Sequence, residues 1–330
     1  MNGGSAHMVR LVRAFYGGIM KSARIHEYGD PSVIRYEDAP RPVPGPGEVL
    51  VRVAATSFNP TEMALRSGVL RDLFPLALPY TLGWDVAGTV VEPGEGVDEF
   101  APGAHVIGRS DGGGAAAEYV TVPAAVLTPA PASIPLAHAA AIPIAGVTAR
   151  QAVERAAITP GLCVLVNGAG GGVGGFATRL AKHAGAHVIA TAGPRSAAAV
   201  RAHGADRVVD YTASPLTEQL ADPVDVLLNL VPVPPSETGP LAALVRPGGR
   251  IVSVATPFPA GDTDVAAHHV VARNDADDLA ALVRLVDAGT LTVDVSAEHP
   301  LSDMARVHRL GEAGGIRGKV VLVPPAERRG

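Results

Sequence analysis

Six glycines, Gly168, Gly170, Gly171, Gly172, Gly174 and Gly175, stand between an apolar run and an amphipathic stretch in VNGAGGGVGGFATRLAKHAGA. No other feature constrains the chain as strongly. CVLVNG (Cys163–Gly168) reads as a strand buried on both faces, and beyond the glycines Val173, Phe176, Ala177 and Leu180 fall on one helical face. A strand that turns directly into a helix leaves free N–H groups at the helix start. The missing Cβ atoms let a pyrophosphate approach that backbone and let the helix pack close to the sheet. The turn therefore predicts a dinucleotide site with Gly168, Gly171, Gly172, Val173 and Gly174 against the ligand.

The surrounding text has two textures. Downstream, the apolar runs AHVIATA, DRVVDY, VDVLLNLV and GRIVSVA alternate with helix-compatible stretches such as SAAAVRAHGA and LAALVRPGG, the pattern of a parallel, doubly wound α/β sheet covered on both faces. Upstream, EVLVRVAA, DVAGTVVEPG, AHVIG and AEYVTV alternate apolar and polar residues between Gly and Pro, the pattern of a β-rich domain. A length of 330 residues fits about two domains, and 47% hydrophobic residues supply both cores. DADDLAALVRLVDAGTL adds an amphipathic helix, and RGKVVLVP is a closing strand suited to pair back with the first domain. The expected organisation is a tail over 1–19, with Met20 as an alternative start; the first part of the β-rich domain over 20–143; the nucleotide domain over 144–272; and 273–330 completing the β-rich domain.

The nature of the dinucleotide follows from the end of the second strand, where a carboxylate about 20 residues past the glycines would accept a ribose 2′-hydroxyl. This chain has no Asp or Glu between Glu154 and Asp206. The segment reads Thr191-Ala192-Gly193-Pro194-Arg195-Ser196, with a guanidinium where a 2′-phosphate would lie. A carboxylate repels that phosphate and a guanidinium pairs with it, so NADPH is the expected cofactor, held here by Thr191, Gly193, Arg195 and Ser196. The alternative for Arg195 is a solvated arginine at a helix start.

Composition removes several function classes. Net charge is −5 and no block of like charge occurs, which argues against nucleic acid and anionic membrane as partners. The uncharged stretch Tyr119 to Ala149 is broken by Pro123, Pro129, Pro131, Pro135 and Pro143, so no membrane-spanning helix is expected there. A single cysteine, Cys163, excludes a disulfide framework and a multi-thiolate zinc site, and fits a reducing cytoplasm. Lying mid-strand among apolar residues, it reads as an inert thiol. The adjacent His268-His269 do not share a helical face and read as a surface loop.

KSARIHEYGDPSVIRYEDAP, PGPGEVLVRV, FNPTE, YTLGWDVAGTVVEPGEGV, AAEYV, GVTARQA, NGAGGGVGGFA, GADRVVDY, LVRPGGRIVSV and RGKVVLV occur in that order. Together they resemble the medium-chain dehydrogenase/reductase superfamily, and within it the zinc-independent quinone oxidoreductase group, from Met20 to about Pro324. The resemblance implies a GroES-like β-rich catalytic domain interrupted by a Rossmann domain, with the active site in a cleft between them. Where zinc alcohol dehydrogenases of that superfamily carry a ligand Cys and a ligand His, this chain has Asn59 and Trp84. With both ligands absent a metal site is not expected. Without a Lewis acid, hydride must go to an acceptor that already spreads negative charge, a quinone or an α,β-unsaturated carbonyl.

By the same resemblance Asn59 and Thr61 border the acceptor pocket, and Tyr80 could reach it as a proton donor. Thr148 and the backbone at Val254-Ala255 hold the nicotinamide, Tyr211 lies beside the adenosine phosphate, and Lys319 of RGKVVLV joins the cofactor site. Each has a structural alternative: Asn59 before Pro60 is a good helix cap, Thr148 suits a helix start, and Tyr80 and Trp84 suit packing. Enoyl-thioester reductases of the superfamily carry a Tyr shortly after the NPxD-like segment, and RSGVLRDLFP here has none. An enoyl-thioester reductase and a non-catalytic NADPH-binding sensor stay open as alternatives, and a homodimer is the assembly the resemblance suggests.

Overall fold

The computed structural model describes residues 18–259 and 264–325. Residues 1–17 of the expected tail lie outside the described residues, and Ile19 already opens the first strand. The chain divides into two compact units. Among the described residues the first takes 18–144, Asn274–Arg284 and 295–325; the second takes Ala145–Arg273, apart from 260–263, and Leu285–Asp294. The sequence reading gave all of 273–330 to the first domain. Leu285–Asp294 belongs instead to the second, where Leu291 is buried and Asp294 Oδ2 lies 3.2 Å from His203 Nε2.

The first unit runs through β1 (Ile19–Ile25), β2 (Ile34–Pro40), β3 (Glu48–Ser57), helix α1 (Pro60–Ser67), β4 (Tyr80–Thr81), β5 (Asp85–Pro93), β6 (His105–Arg109), β7 (Tyr119–Pro123), β8 (Leu127–Pro129) and the short helix α2 (Leu136–Ala139). The alternation in EVLVRV places Val49, Val51 and Val53 in a core with Val86, Val90, Val106, Val120 and Val122, while Arg52 faces out. Helix α1 begins at Pro60, which needs no N–H partner in a first turn, and stops at Gly68, whose φ of +81° a side chain disfavours.

The second unit is built from helix α3 (Pro143–Arg155), β9 (Cys163–Asn167), α4 (Gly172–His183), β10 (His187–Thr191), α5 (Ala197–Ala202), β11 (Arg207–Val209), α6 (Leu216–Gln219), β12 (Val224–Asn229), α7 (Pro235–Ala242), β13 (Val245–Ser253) and β14 (Ala266–His269). The strand order is β11-β10-β9-β12-β13-β14 and every pair is parallel. The order reverses between β9 and β12, where a doubly wound sheet opens a crevice beyond its carboxyl ends. Leu165, Ile189, Val224, Leu227 and Ile251 fill the core behind it.

Two sequence expectations change here. LAALVRPGG is helical only to Ala242; β13 starts at Val245 and bulges through Pro247 and Gly248, whose missing N–H and φ of +77° break the ladder between Val245 and Arg250. His268 and His269 lie in β14 rather than in a loop, paired with Val252 and Ser253.

The chain then forms α8 (Ala276–Asp287), β15 (Val295–Pro300), α9 (Met304–Glu312) and β16 (Lys319–Val323). As the RGKVVLV run suggested, β16 returns to the first unit and pairs antiparallel with β3, giving a sheet of order β15-β16-β3-β5-β6-β8 with β7 also on β3. Phe58, Leu82, Met304, Val307 and Leu322 form the core beneath. Among the described residues no helix is long and apolar enough to cross a membrane.

Candidate functional site

In the second unit the glycine turn has the geometry the sequence required. Gly168 turns the chain at φ +93°, and a Cβ on Gly174 would lie 2.2 Å from the Gly168 carbonyl oxygen, so α4 rests directly on the strand end. A Cβ on Gly170 would lie 2.5 Å from Ser196 Oγ, which puts the loop after β10 against the turn. Gly171 is the N-cap and α4 starts at Gly172, so bare backbone faces the crevice at the helix start. Side chains are excluded at Gly168, Gly170 and Gly174, and the bare backbone at the helix start suits a pyrophosphate.

Of the other expected cofactor residues, Thr191, Gly193, Arg195, Ser196, Tyr211, Val254 and Ala255 stand at or just after the carboxyl ends of strands of this sheet. Gly168 N donates to Thr191 Oγ1 (2.9 Å), and Ser196 N donates to the Gly193 carbonyl (3.0 Å). Arg195 is exposed on that loop, and the exposed Tyr211 brings its phenol to 3.6 Å from where a Gly193 Cβ would stand. Val254 N donates to the Asn229 carbonyl (3.0 Å), and Ala255 N donates to Ser253 Oγ (3.4 Å). Thr148 is half-buried in the second turn of α3, not at the helix start. Sequence reasoning missed Asn167, Asn229 and Ser253, each a polar residue closing a buried strand. Asn167 Nδ2 donates to Asn229 Oδ1 (2.9 Å) across the point where the strand order reverses. The available signal was the final Asn of the apolar runs CVLVN and VDVLLN.

In the first unit, Asn59 opens α1. Its carbonyl accepts from Glu62 N (3.0 Å) and its own N–H donates back to Glu62 Oε2 (3.3 Å), a reciprocal closure of the helix start. Its side chain is 4% exposed and turns inward, where Nδ2 donates to Asp85 Oδ2 (2.9 Å) and to the Ser57 carbonyl (3.3 Å). Lys319, expected at the cofactor, lies beneath Asn59. Its three ammonium donors go to Asn59 Oδ1 (2.8 Å), the Phe58 carbonyl (3.0 Å) and Asp85 Oδ2 (3.4 Å), so it holds the Asn59 amide in one orientation. Burial lowers the Lys319 pKa against the pull of Asp85 and Glu62. Asp85, fully buried, also accepts from Ser57 Oγ and from Ile144 N (2.8 Å).

Glu62 was not foreseen. It is 1% exposed, and its Oε1 accepts from Gly83 N (2.8 Å), so one carboxyl joins the Asn59 segment to the segment carrying Trp84 and Asp85. Burial pushes its pKa up to about 7, opposed by the Gly83 N–H. Thr61 is exposed in the first turn of α1. Tyr80 is half-buried, its hydroxyl accepts from Trp84 Nε1 (2.9 Å), and burial pushes its pKa up to about 12. Gly113, at φ +77°, has its Cβ position 2.2 Å from that hydroxyl, so the phenol lies directly on glycine backbone.

Residues 45–132 match the family described as alcohol dehydrogenase GroES-like domain, and residues 203–322 match zinc-binding dehydrogenase. The chain is 31% identical to the chloroplast envelope quinone oxidoreductase homolog of Arabidopsis thaliana, over 93% of this chain and 99% of that protein. The chain belongs to the quinone oxidoreductase group of the medium-chain dehydrogenase/reductase superfamily. The solved quinone oxidoreductase of Coxiella burnetii superposes with a TM-score of 0.86 at 30% identity, covering 92% of this chain and 99% of that one. The chloroplastic NADPH-dependent alkenal/one oxidoreductase of Arabidopsis thaliana is 30% identical over 92% of this chain and 80% of its own length. A GroES-like domain and a Rossmann domain are thus the two units of this quinone oxidoreductase relative, and the glycine turn of β9 and α4 is its Rossmann fingerprint.

Proposed function

We propose that this chain, an NADPH-dependent oxidoreductase, reduces a quinone or an α,β-unsaturated carbonyl by hydride transfer without zinc. The observation that carries the metal-free reading is the chemistry at the two family ligand positions. Asn59 presents an amide locked between Asp85 and a buried ammonium, and Trp84 presents an indole N–H already donated to Tyr80. An ammonium already bonds Asn59 Oδ1 at 2.8 Å and repels a second cation there, and neither side chain is a usual zinc ligand. Zinc does not fit this set.

When bound, NADPH supplies the hydride. The turn at Gly168, Gly171, Gly172, Val173 and Gly174 receives the pyrophosphate, Thr191, Gly193 and Ser196 shape the ribose end, and Arg195 pairs with the 2′-phosphate beside Tyr211. Thr148 and the Val254–Ala255 backbone take the nicotinamide. In the first unit the Asn59–Lys319–Asp85 cluster fixes the floor on which Thr61 and Tyr80 meet the acceptor. The Tyr80 hydroxyl keeps its proton across neutral pH, so it can donate a hydrogen bond to a developing oxyanion but titrates too high to be a base there.

The test is the rate of NADPH and NADH oxidation with benzoquinones, naphthoquinones, enones and enoyl thioesters. Turnover on the first three classes with NADPH preferred is the expected result. Preference for thioesters, or tight NADPH binding with no turnover on any acceptor, would replace this reading with the enoyl-thioester reductase or the sensor.

A further inference from the structure

Four buried side chains form a hydrogen-bonded line across the carboxyl ends of the central strands of the six-stranded sheet. Thr191 is the last residue of β10, Asn167 of β9, Asn229 of β12 and Ser253 of β13, and none is more than 7% exposed. Thr191 Oγ1 donates to Asn167 Oδ1 (3.0 Å), and Asn167 Nδ2 donates to Asn229 Oδ1 (2.9 Å). Asn229 Nδ2 then donates to Ser253 Oγ (3.0 Å) and to the Val231 carbonyl (2.9 Å). At one end Gly168 N donates to Thr191 Oγ1 (2.9 Å); at the other, Ala255 N donates to Ser253 Oγ (3.4 Å) and Val254 N to the Asn229 carbonyl (3.0 Å).

Strand pairing does not require this line. The backbone ladder already sets Leu228 beside Val166 and Asn229 beside Asn167, and apolar side chains would fill the same space without desolvating polar groups. What the line adds is a side-chain link between two segments beyond the ladder: the phosphate turn, through Gly168, and the stretch after β13, through Ala255. Each Asn amide is held from both sides, so its oxygen and nitrogen cannot exchange places without losing bonds on two strands.

We propose that the Asn167–Asn229 pair, ended by Thr191 and Ser253, is a positioning network that sets the glycine turn and the Val254–Ala255 segment in register, and thereby aligns the nicotinamide for transfer. This rests on the reading that those two segments hold NADPH. In that reading the adenosine end depends on Thr191, Gly193, Arg195, Ser196 and Tyr211, none of which is changed in the variants below, so 2′,5′-ADP reports that end alone.

The experiment compares the wild type with Ser253→Ala, Asn229→Leu and the double variant Asn167→Leu/Asn229→Leu. For each, kcat with NADPH and a quinone is measured beside the Kd of 2′,5′-ADP. The expected result is a fall in kcat of about tenfold or more, the scale of a small misplacement of reacting groups, with 2′,5′-ADP affinity held within about twofold. The double variant should lower kcat about as far as Asn229→Leu, because either change breaks the line at its centre and the two effects are not additive. Unchanged kcat, or parallel loss of kcat and 2′,5′-ADP binding as from general loosening, would overturn the proposal. If a leucine variant does not fold, Ser253→Ala decides, since it removes one hydroxyl and little volume. A wild type that binds neither NADPH nor 2′,5′-ADP would overturn the cofactor reading itself, an outcome distinct from failure of the network.

Discussion

Glu62 and His308 are both buried in the first unit, and burial moves them in opposite directions. For Glu62 it raises the pKa from 4.5 to about 7, so between those values the folded chain holds a proton that the unfolded chain releases. Stability from this group is therefore full below 4.5 and is lost as pH rises through 7. For His308, burial and the Arg66 guanidinium lower the pKa from 6.5 to about 3, so its contribution is present above 6.5 and is lost as pH falls toward 3. Glu62→Gln isolates the first effect. Relative to wild type, the variant should gain stability steadily as pH rises from 4.5 to about 7, read as a widening difference in urea midpoint; a difference that does not change with pH would remove Glu62 as the titrating group. The resemblance marked Asn59, with a helix cap before Pro60 as its structural alternative, and Glu62 three residues on belongs to that same local pattern. What it could not show is that Gly83 folds over Glu62, or that Lys319 reaches Asp85 across 234 positions, since both depend on tertiary contacts. Lys319, which the resemblance places at the cofactor, bonds Asn59 and Asp85 from beneath.

The turn between β9 and α4 was legible because its demands are local: a left-handed φ at Gly168 and a close approach at Gly174 are both written as glycine. Two substitutions separate these demands from mere composition. Gly174→Ala puts a methyl against backbone atoms of Gly168 and Ala169 that cannot yield, so α4 must lift from the strand end, at a cost of about 1–3 kcal/mol and with loss of NADPH affinity. At Gly171 the added methyl meets only Gly168 O, at an ordinary 3.6 Å, so Gly171→Ala should fold as the wild type does. Thermal midpoints that fall equally for both would contradict this packing account. The Asn167–Asn229 pair in the same element was not legible, because its partners are 62 residues apart and meet only when β12 is inserted beside β9. Likewise the bulge in β13 hid a strand inside LAALVRPGG, where Pro and Gly ordinarily mark a turn.

At the scale of the whole molecule, β16 is the strand that makes the first unit discontinuous. It carries Lys319 into the Asn59 cluster and pairs with β3, so the last residues of the chain complete the site that the first residues begin. The alternation of strands and helices made the Rossmann unit readable, and the VVLV run made the return of the chain readable. The attachment of Leu285–Asp294 to the second unit was not, because it depends on the His203–Asp294 contact. The metal-free reading draws on this discontinuity, since the ammonium that bonds Asn59 Oδ1 arrives on the closing strand. The most direct test is NADPH-dependent reduction of a quinone by enzyme dialysed against EDTA, with and without added zinc. The account predicts an unchanged rate in both conditions; a rate lost on chelation and restored by zinc would contradict it.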